Sequence, residues 1–458
     1  MKRTYSIFIM VFLYCNISGI SQESSLTQNQ KVYGLSKLWS EAQFNFPYFN
    51  YLTNVDLDSI YYAYIDKIIC TKDDFTYYQT LQSFASHYSD NHTYVEFPEK
   101  ISKRLFGRSF KDFRIDLSLI EDRVIVTNVG RNNINDLPIG SEITHVDSIS
   151  VDQYLSENVY PLISSSSTQR TKHLGVKSLL LGLEGTTSTI TCKLPDGVYK
   201  TITLKRERNN DDWYLHDELL FHKYLDSEIS YLRIKQFSDT SISDSIFYYH
   251  DTIERSKALI IDIRDNGGGS SVIAKDIARY FVRDSVVTGS LVKTRVNIAN
   301  QRSRGIRLSK QDTINDIVNK TNFLMAKNLY LFPLGVSTFK NEIIVKDRFT
   351  DIPVVILTNA VNISAAEEFL VYLKDQENIT LMGEPTGGGN GQPMLINLPN
   401  GGYFAVCTQY CSFPNGQEYY RNGIKPDVFV SQTIDDLISN RDTVIEAAID
   451  FLENEIKR

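Results

Sequence analysis

The sequence predicts an α/β chain of several domains: a helical N-terminal segment, a β-rich middle and an α/β core. Three observations predict it. The chain has 458 residues, more than one ordinary hydrophobic core holds. The spacing of its apolar residues changes twice, near residues 100 and 207. After the second change, strand-like runs alternate with helix-like ones, the pattern of an α/β layer.

In the first region, Leu35 to Phe46 carries apolar residues at helical spacing, and Pro47 ends the run. A second periodic stretch covers Leu57 to Cys70. A third, Asp74 to Tyr88, finishes in Ser89-Asp90-Asn91-His92. The many tyrosines here read as packing residues with one wet end. In the middle region, Arg123 to Val129 alternates, and Ile139 to Val151 reads as two short strands around a turn. Val151 to Leu155 starts a brief helix, and Ser164 to Thr168 is a polar loop. Thr187 to Leu194, the turn Pro195-Asp196-Gly197 and Tyr199 to Leu204 make a hairpin. In the third region, Ile229–Ile234, Ala258–Ile263 and Val354–Leu357 are strands, and Ser270–Phe281 and Ala365–Lys374 are helices. Residues 296 to 340 are polar and weakly periodic, as a lid or an insertion would be. The expected units are therefore 22–100, 101–206 and 207–458, preceded by 1–21.

Residues 1–21 read as a signal peptide. Lys2-Arg3 is the charged start, Ser6 to Tyr14 the apolar middle, and Gly19-Ile20-Ser21 the small residues before a cut. Export to a periplasm or to the outside is expected. Cys15 follows the bulky Tyr14, which does not suit a lipoprotein anchor. No later segment has about 18 uninterrupted apolar residues, so the mature chain should hold no membrane span. A net charge of −7 with no Lys/Arg cluster argues against nucleic acid as a partner. Cys70, Cys192, Cys407 and Cys411 are scattered. The last two sit four apart in an apparent strand, roughly 13 Å from each other and beyond disulfide reach. No zinc-ligand spacing is present, and neither metal nor cofactor is expected.

Two segments carry chemistry. In Val354-Val-Ile-Leu-Thr-Asn-Ala-Val-Asn-Ile-Ser364-Ala-Ala-Glu-Glu, a buried-strand pattern runs into a serine that opens a helix. A serine there has an exposed hydroxyl beside helix N–H groups, the requirements of a nucleophile with its oxyanion site. Ser364-x-x-Glu367 is also a capping box, and taken alone the cap is the more ordinary reading. In Ala258-Leu-Ile-Ile-Asp262-Ile-Arg264-Asp-Asn-Gly267-Gly268-Gly269, a strand ends in three glycines. These let backbone N–H groups turn toward an anion or simply make a turn. The Walker and dinucleotide-binding glycine patterns are absent. Seven histidines are present and none follows His250. A histidine serving Ser364 must therefore come from upstream, and triads are defined by geometry and not by chain order. His92 sits in a polar turn after a helix, where a surface histidine is also ordinary.

Together these residues resemble the S41 peptidases, the group of C-terminal processing proteases and tricorn core proteases. Asp262-Ile-Arg264-Asp-Asn-Gly-Gly-Gly269 is similar to the family's Asp-Leu-Arg-x-Asn-x-Gly-Gly. Ser364-Ala-Ala-Glu367 resembles Ser-Ala-x-Glu, Gly383-Glu-Pro-Thr-Gly resembles Gly-Glu-x-Thr-x-Gly, and Gly423-Ile-Lys-Pro-Asp427 resembles Gly-Ile-x-Pro-Asp. Leu38-Trp39 and Asp90-Asn-His-Thr93 resemble upstream segments of bacterial members. The motifs stand in the family's order over nearly the whole mature chain.

The resemblance implies a protease core of the ClpP/crotonase-like type, a PDZ-like β-rich domain and a serine endopeptidase acting on protein or peptide substrates. Where Ser–Lys members carry their lysine, about 25 residues past the serine in the family's pattern, this chain has Gly389. The tricorn-like arrangement is then implied. Ser364 is the nucleophile and His92 the general base. Glu418 is the acid that orients His92, with Asn91 as an intervening group. Gly268 and Ala365 give the oxyanion N–H groups, and Asp262 and Arg264 brace the glycine turn. Ile139–Val151 matches a PDZ run, but a PDZ carboxylate loop before Ile115 is not evident. The domain either captures substrate C-termini or only orients the core. A peptide- or lipid-binding protein that does not cleave is the alternative on the same fold.

Overall fold

The computed structural model describes residues 24–215, 220–225, 228–239 and 241–457. The expected signal peptide, with Cys15, lies outside the described residues.

Six strands form the central sheet, in the order Leu220–Leu225, Ile229–Ile234, Ala258–Asp262, Val354–Thr358, Ile379–Gly383 and Val428–Phe429. The first pair is antiparallel and the rest are parallel. The two middle strands, Ala258–Asp262 and Val354–Thr358, are buried at every residue. Cover on both faces is why their sequences are unbroken apolar runs. Alternate residues go to opposite sides. Leu259, Ile261, Val354 and Ile356 join the helices Ser271–Ala278 and Ala365–Leu373 on one face. Ala258, Ile260, Val355 and Leu357 meet Val444, Ala448 and Leu452 of the helix Thr443–Ile456 on the other. Because the two middle strands are parallel, with Asp262 opposite Leu357, their C-terminal ends deliver the glycine turn and the serine turn side by side.

The β-rich unit has its own core of residues such as Val126, Ile143, Ile190 and Leu204. Its antiparallel sheet runs Ile115–Ile120, Arg123–Val129, Glu142–Val146, Thr187–Lys193, Tyr199–Lys205, with Ile149–Ser150 paired to Glu142–Val146. The helix Thr168–Ser178 packs on it through Val176.

The N-terminal helices Gln28–Asn45, Leu57–Ile69 and Asp74–Ser86 form over the three periodic stretches, the first starting at Gln28 and not at Leu35. They do not make a separate body. Leu35, Leu38, Leu81 and Phe84 share one hydrophobic cluster with Phe404, Val406, Tyr410 and Tyr420. Each fully buried side chain of this kind contributes about 1.5–3 kcal/mol. The strand Tyr94–Glu96, directly after His92, pairs antiparallel with Tyr403–Cys407. The expected boundary at residue 100 therefore does not separate two cores.

Residues 296–340 are structured as an excursion from a ribbon. Val286–Arg295 and Leu331–Lys340 are its antiparallel arms, and the helices Ala299–Gly305 and Ile317–Ala326 lie between them. The apparent strand holding Cys407 and Cys411 is two strands, Tyr403–Cys407 and Gln409–Ser412, which join different sheets. Cys70, Cys192, Cys407 and Cys411 are all free thiols.

Candidate active site

Ser364 sits between the strand Val354–Thr358 and the helix Ala365–Leu373 with φ 57° and ψ −127°. A non-glycine residue there stores about 1–3 kcal/mol of backbone strain. The capping box expected from Ser364-x-x-Glu367 does not form, because the serine makes no side-chain cap bond. Its partner in that box, Glu367, is committed elsewhere. Its carboxylate accepts from Thr386 Oγ1, from Gly388 N at 2.8 Å and from Gly389 N at 2.9 Å. Ser364 N–H in turn donates to Gly389 O at 3.0 Å.

Asn362 fastens this turn to its neighbour. It is fully buried, and its Nδ2 donates to Ile263 O at 2.6 Å and Asn266 O at 3.1 Å. The glycine turn then lies against the serine. A β-carbon at Gly268 (φ +99°) would stand 2.9 Å from Ser364 Cβ and 3.0 Å from Ala365 N, so only glycine fits. Ala365 is the first helical residue, and its N–H has no intrahelical acceptor. The Gly268 N–H donates to Asn266 Oδ1 at 2.8 Å. Asp262 and Arg264 sit behind the turn. Arg264 Nη2 lies 2.7 Å from Asp262 Oδ2 and 2.9 Å from Asp442 Oδ2, while Tyr231 Oη donates to Asp262 at 2.7 Å.

His92 is buried in the turn between the helix Asp74–Ser86 and the strand Tyr94–Glu96. Its N–H donates to Asp90 Oδ2 at 2.9 Å, which also accepts from Thr93 Oγ1 at 2.8 Å. The loop Gly387–Gly391 joins this turn to the serine. Asn91 Nδ2 donates to Gly387 O at 3.2 Å, and a β-carbon on Gly391 would stand 3.8 Å from His92 Nδ1. The turns of His92 and Ser364 thus both contact one glycine-rich loop.

Glu418 is not brought to His92. It is exposed, and its two oxygens accept from the Tyr51 and Tyr410 hydroxyls. His92 Nδ1 is buried without a hydrogen-bond partner. Nor does Asn91 bridge them, because its Oδ1 accepts from Ser166 N at 3.1 Å and its Nδ2 donates to Ser166 Oγ at 2.8 Å.

The polar loop before Thr168 reaches the site, which its composition did not reveal. Ser166 Oγ donates to Gly388 O at 2.6 Å and Ser167 Oγ to Gly387 O at 2.8 Å. The buried Arg170 donates to Val361 O at 2.8 Å. Burial holds the His92 imidazole down at about 4, and the Arg170 guanidinium pushes the same way. The ring is therefore neutral at pH 7, as a general base must be. Burial pushes the Glu367 carboxyl up to about 7, against the hydrogen bonds from Thr386, Gly388 and Gly389 and the charge of Arg170.

Residues 228–430, which hold the glycine turn, Ser364 and the loop, match the family described as Peptidase family S41. Over these residues the chain is similar to peptidase family S41. A carboxyl-terminal-processing protease of Synechocystis sp. is 25% identical over 228 residues, covering 49% of this chain and 44% of that protein. The chain spans about half the length of the curated relatives it matches. Among solved structures, mature CPAF is similar with a TM-score of 0.66 at 14% identity, over 94% of this chain and 97% of that one. The photosystem II D1 C-terminal processing protease is similar with a TM-score of 0.50 at 16% identity, over 93% and 98%. These likenesses are of fold, and they span the N-terminal helices and the β-rich unit as well as residues 228–430. They place the turn of His92 inside that fold.

Proposed function

We propose that the protein is a serine peptidase that hydrolyses peptide bonds, with Ser364 as nucleophile and His92 as general base. The single observation that carries this reading is the strained Ser364 conformation at a strand-to-helix turn, with its hydroxyl withheld from capping. A serine that merely started a helix would take the extended conformation and bond the helix amides.

In the reaction, Ser364 Oγ attacks the carbonyl carbon while its proton passes to the His92 ring. The tetrahedral oxygen takes the Ala365 N–H. The Gly268 N–H joins it by exchanging Asn266 Oδ1 for the substrate oxygen. Collapse breaks the C–N bond, and His92 returns the proton to the leaving amine. Water then repeats the sequence on the acyl-enzyme. Nothing in the geometry supports Glu418 as the group that orients His92, since Tyr51 and Tyr410 hold its carboxylate.

The names of the relatives point to protein substrates processed at their C-termini, and we extend that to this chain. We take the β-rich unit as PDZ-like. Its helix Thr168–Ser178 and the loop before it deliver Ser166, Ser167 and Arg170 to the site, which supports an orienting role. The charged, apolar and small residues within 1–21 support export. Among the described residues no helix is long and apolar enough to cross a membrane.

A fluorophosphonate probe tests the reading. Wild type should be labelled and Ser364→Ala should not, and His92→Ala should be labelled far more slowly. No Ser364-dependent labelling and no proteolysis would sink it, and leave a peptide- or lipid-binding protein on a peptidase fold.

A further inference from the structure

The inference that follows rests on His92 as the general base. A histidine that takes a proton on one ring nitrogen needs an acceptor for the N–H of the other. That acceptor fixes the tautomer and stabilises the imidazolium. In this protein the expected acceptor, Glu418, is bound to two tyrosines, and His92 Nδ1 is buried with no partner.

A second orphaned atom lies on the same turn. Asp90 is 1% exposed, and its Oδ1 is buried without a hydrogen bond. Its other oxygen, Oδ2, holds the turn by accepting His92 N–H at 2.9 Å and Thr93 Oγ1 at 2.8 Å. Thr93 Oγ1 then accepts the Cys407 N–H at 3.2 Å, tying the turn to the strand Tyr403–Cys407. A turn-forming aspartate needs only one oxygen. Buried polar atoms are nearly always paired, so a spare acceptor and a spare ring nitrogen two residues apart call for an explanation together.

The charges around the turn make the same demand. The Arg170 guanidinium opposes a positive His92 ring. The Tyr420 phenol donates to Ser89 O at 3.0 Å, and the buried Cys407 thiol lies beside the Asp90 carboxyl. The carboxylate of Asp90 is the anion on the histidine's own turn that can offset Arg170 when the ring becomes charged.

We propose that Asp90 is the positioning residue of His92, accepting the Nδ1–H on Oδ1 while the ring takes the Ser364 proton on Nε2. The Nδ1 proton stays on the ring throughout, and the transferred proton leaves with the amine. Glu418 then has no part in orienting the base.

Asp90→Asn is the informative variant. Its amide oxygen can keep both turn bonds, while its NH2 group faces Nδ1 and selects the wrong tautomer. Turnover should fall by at least about 100-fold with KM changed little, as for a triad aspartate replaced by asparagine. The acid limb of the kcat/KM profile should move as well. Thr93→Val, which loosens the turn but keeps Oδ1, should cost less and leave that limb in place. Independently, the low-field Nδ1–H proton resonance of His92 should be present in Ser364→Ala. It should persist when Glu418→Gln is added and vanish when Asp90→Asn is added. The proposal is overturned if the resonance vanishes with Glu418→Gln instead, or if Asp90→Asn keeps wild-type turnover and pH profile. The resonance in the Glu418→Gln background decides the matter even if Asp90→Asn does not fold. An active His92→Ala would instead sink the underlying reading. An inactive His92→Ala beside a normal Asp90→Asn would sink only this one.

Discussion

A β-carbon at Gly389 would stand 2.3 Å from Asn91 Nδ2 and 3.0 Å from Asn91 Cβ. The position where the resemblance would put the lysine of Ser–Lys members is thus filled by the residue beside His92. The histidine turn sits where a side chain at Gly389 would begin.

Installing the lysine should therefore not convert the enzyme. Gly389→Lys, and even Gly389→Ala, should lower stability by about 1–3 kcal/mol as overpacked sites do, and should abolish or strongly reduce turnover. Asn91→Gly should recover part of the stability lost in Gly389→Ala. A double-mutant cycle on denaturation midpoints measures the coupling, and additive effects would show that the two residues do not compete for space.

The strain at Ser364 predicts opposite effects on stability and activity. Ser364→Gly should raise the unfolding free energy by about 1 kcal/mol, because glycine adopts positive φ freely. It should also eliminate fluorophosphonate labelling. An unfolding free energy that drops in Ser364→Gly would contradict the strained geometry.

Glu367 holds the loop that touches both reaction partners. Glu367→Ala leaves Gly388 N–H, Gly389 N–H and the Thr386 hydroxyl without their acceptor. Each buried unpaired group costs about 1–3 kcal/mol. Turnover should fall with the loop's order. Hydrogen exchange at Gly388 and Gly389 should quicken while the central sheet stays protected. Unchanged exchange there would mean that the loop is held by other contacts.

Acid should act on stability through His92. Its folded value of about 4 lies below the ordinary 6.5. Its contribution is complete above about pH 6.5 and is lost as pH falls through about 4. Glu367 runs the other way. Its value is raised from 4.5 to about 7, so its contribution is present below about pH 4.5 and lost as pH rises through about 7. His92→Gln should flatten the loss of stability between pH 6.5 and 4, and Glu367→Gln the loss between 4.5 and 7. Denaturant titrations across that range would show it. Slopes that ignore both substitutions would place the titration elsewhere.

The sequence carried the parts of the fold that depend on period. Val354–Thr358 and Ala258–Asp262 are apolar throughout because both faces are covered, and the three N-terminal helices repeat at their expected spacing. It also carried the residues of the serine and glycine turns. It did not carry the partners of Glu367, since a capping box and a loop anchor share the same four-residue spacing. It did not carry the reach of Ser166 and Arg170, because a polar loop looks alike whether it faces water or buried carbonyls. Glu418 was legible as an acid but not as the acceptor of two phenols, Tyr51 being far away in sequence. Asn362 is a missed fastening residue, and its only sequence trace is an asparagine two places before the nucleophile.

The pairing of Tyr94–Glu96 with Tyr403–Cys407 ties the seating of the His92 turn to synthesis of residue 407. The turn of His92 has no strand edge to dock on until residue 407 has left the ribosome, and by then Ser364 has also been made. A polypeptide ended before residue 407 therefore lacks the strand edge that seats the His92 turn.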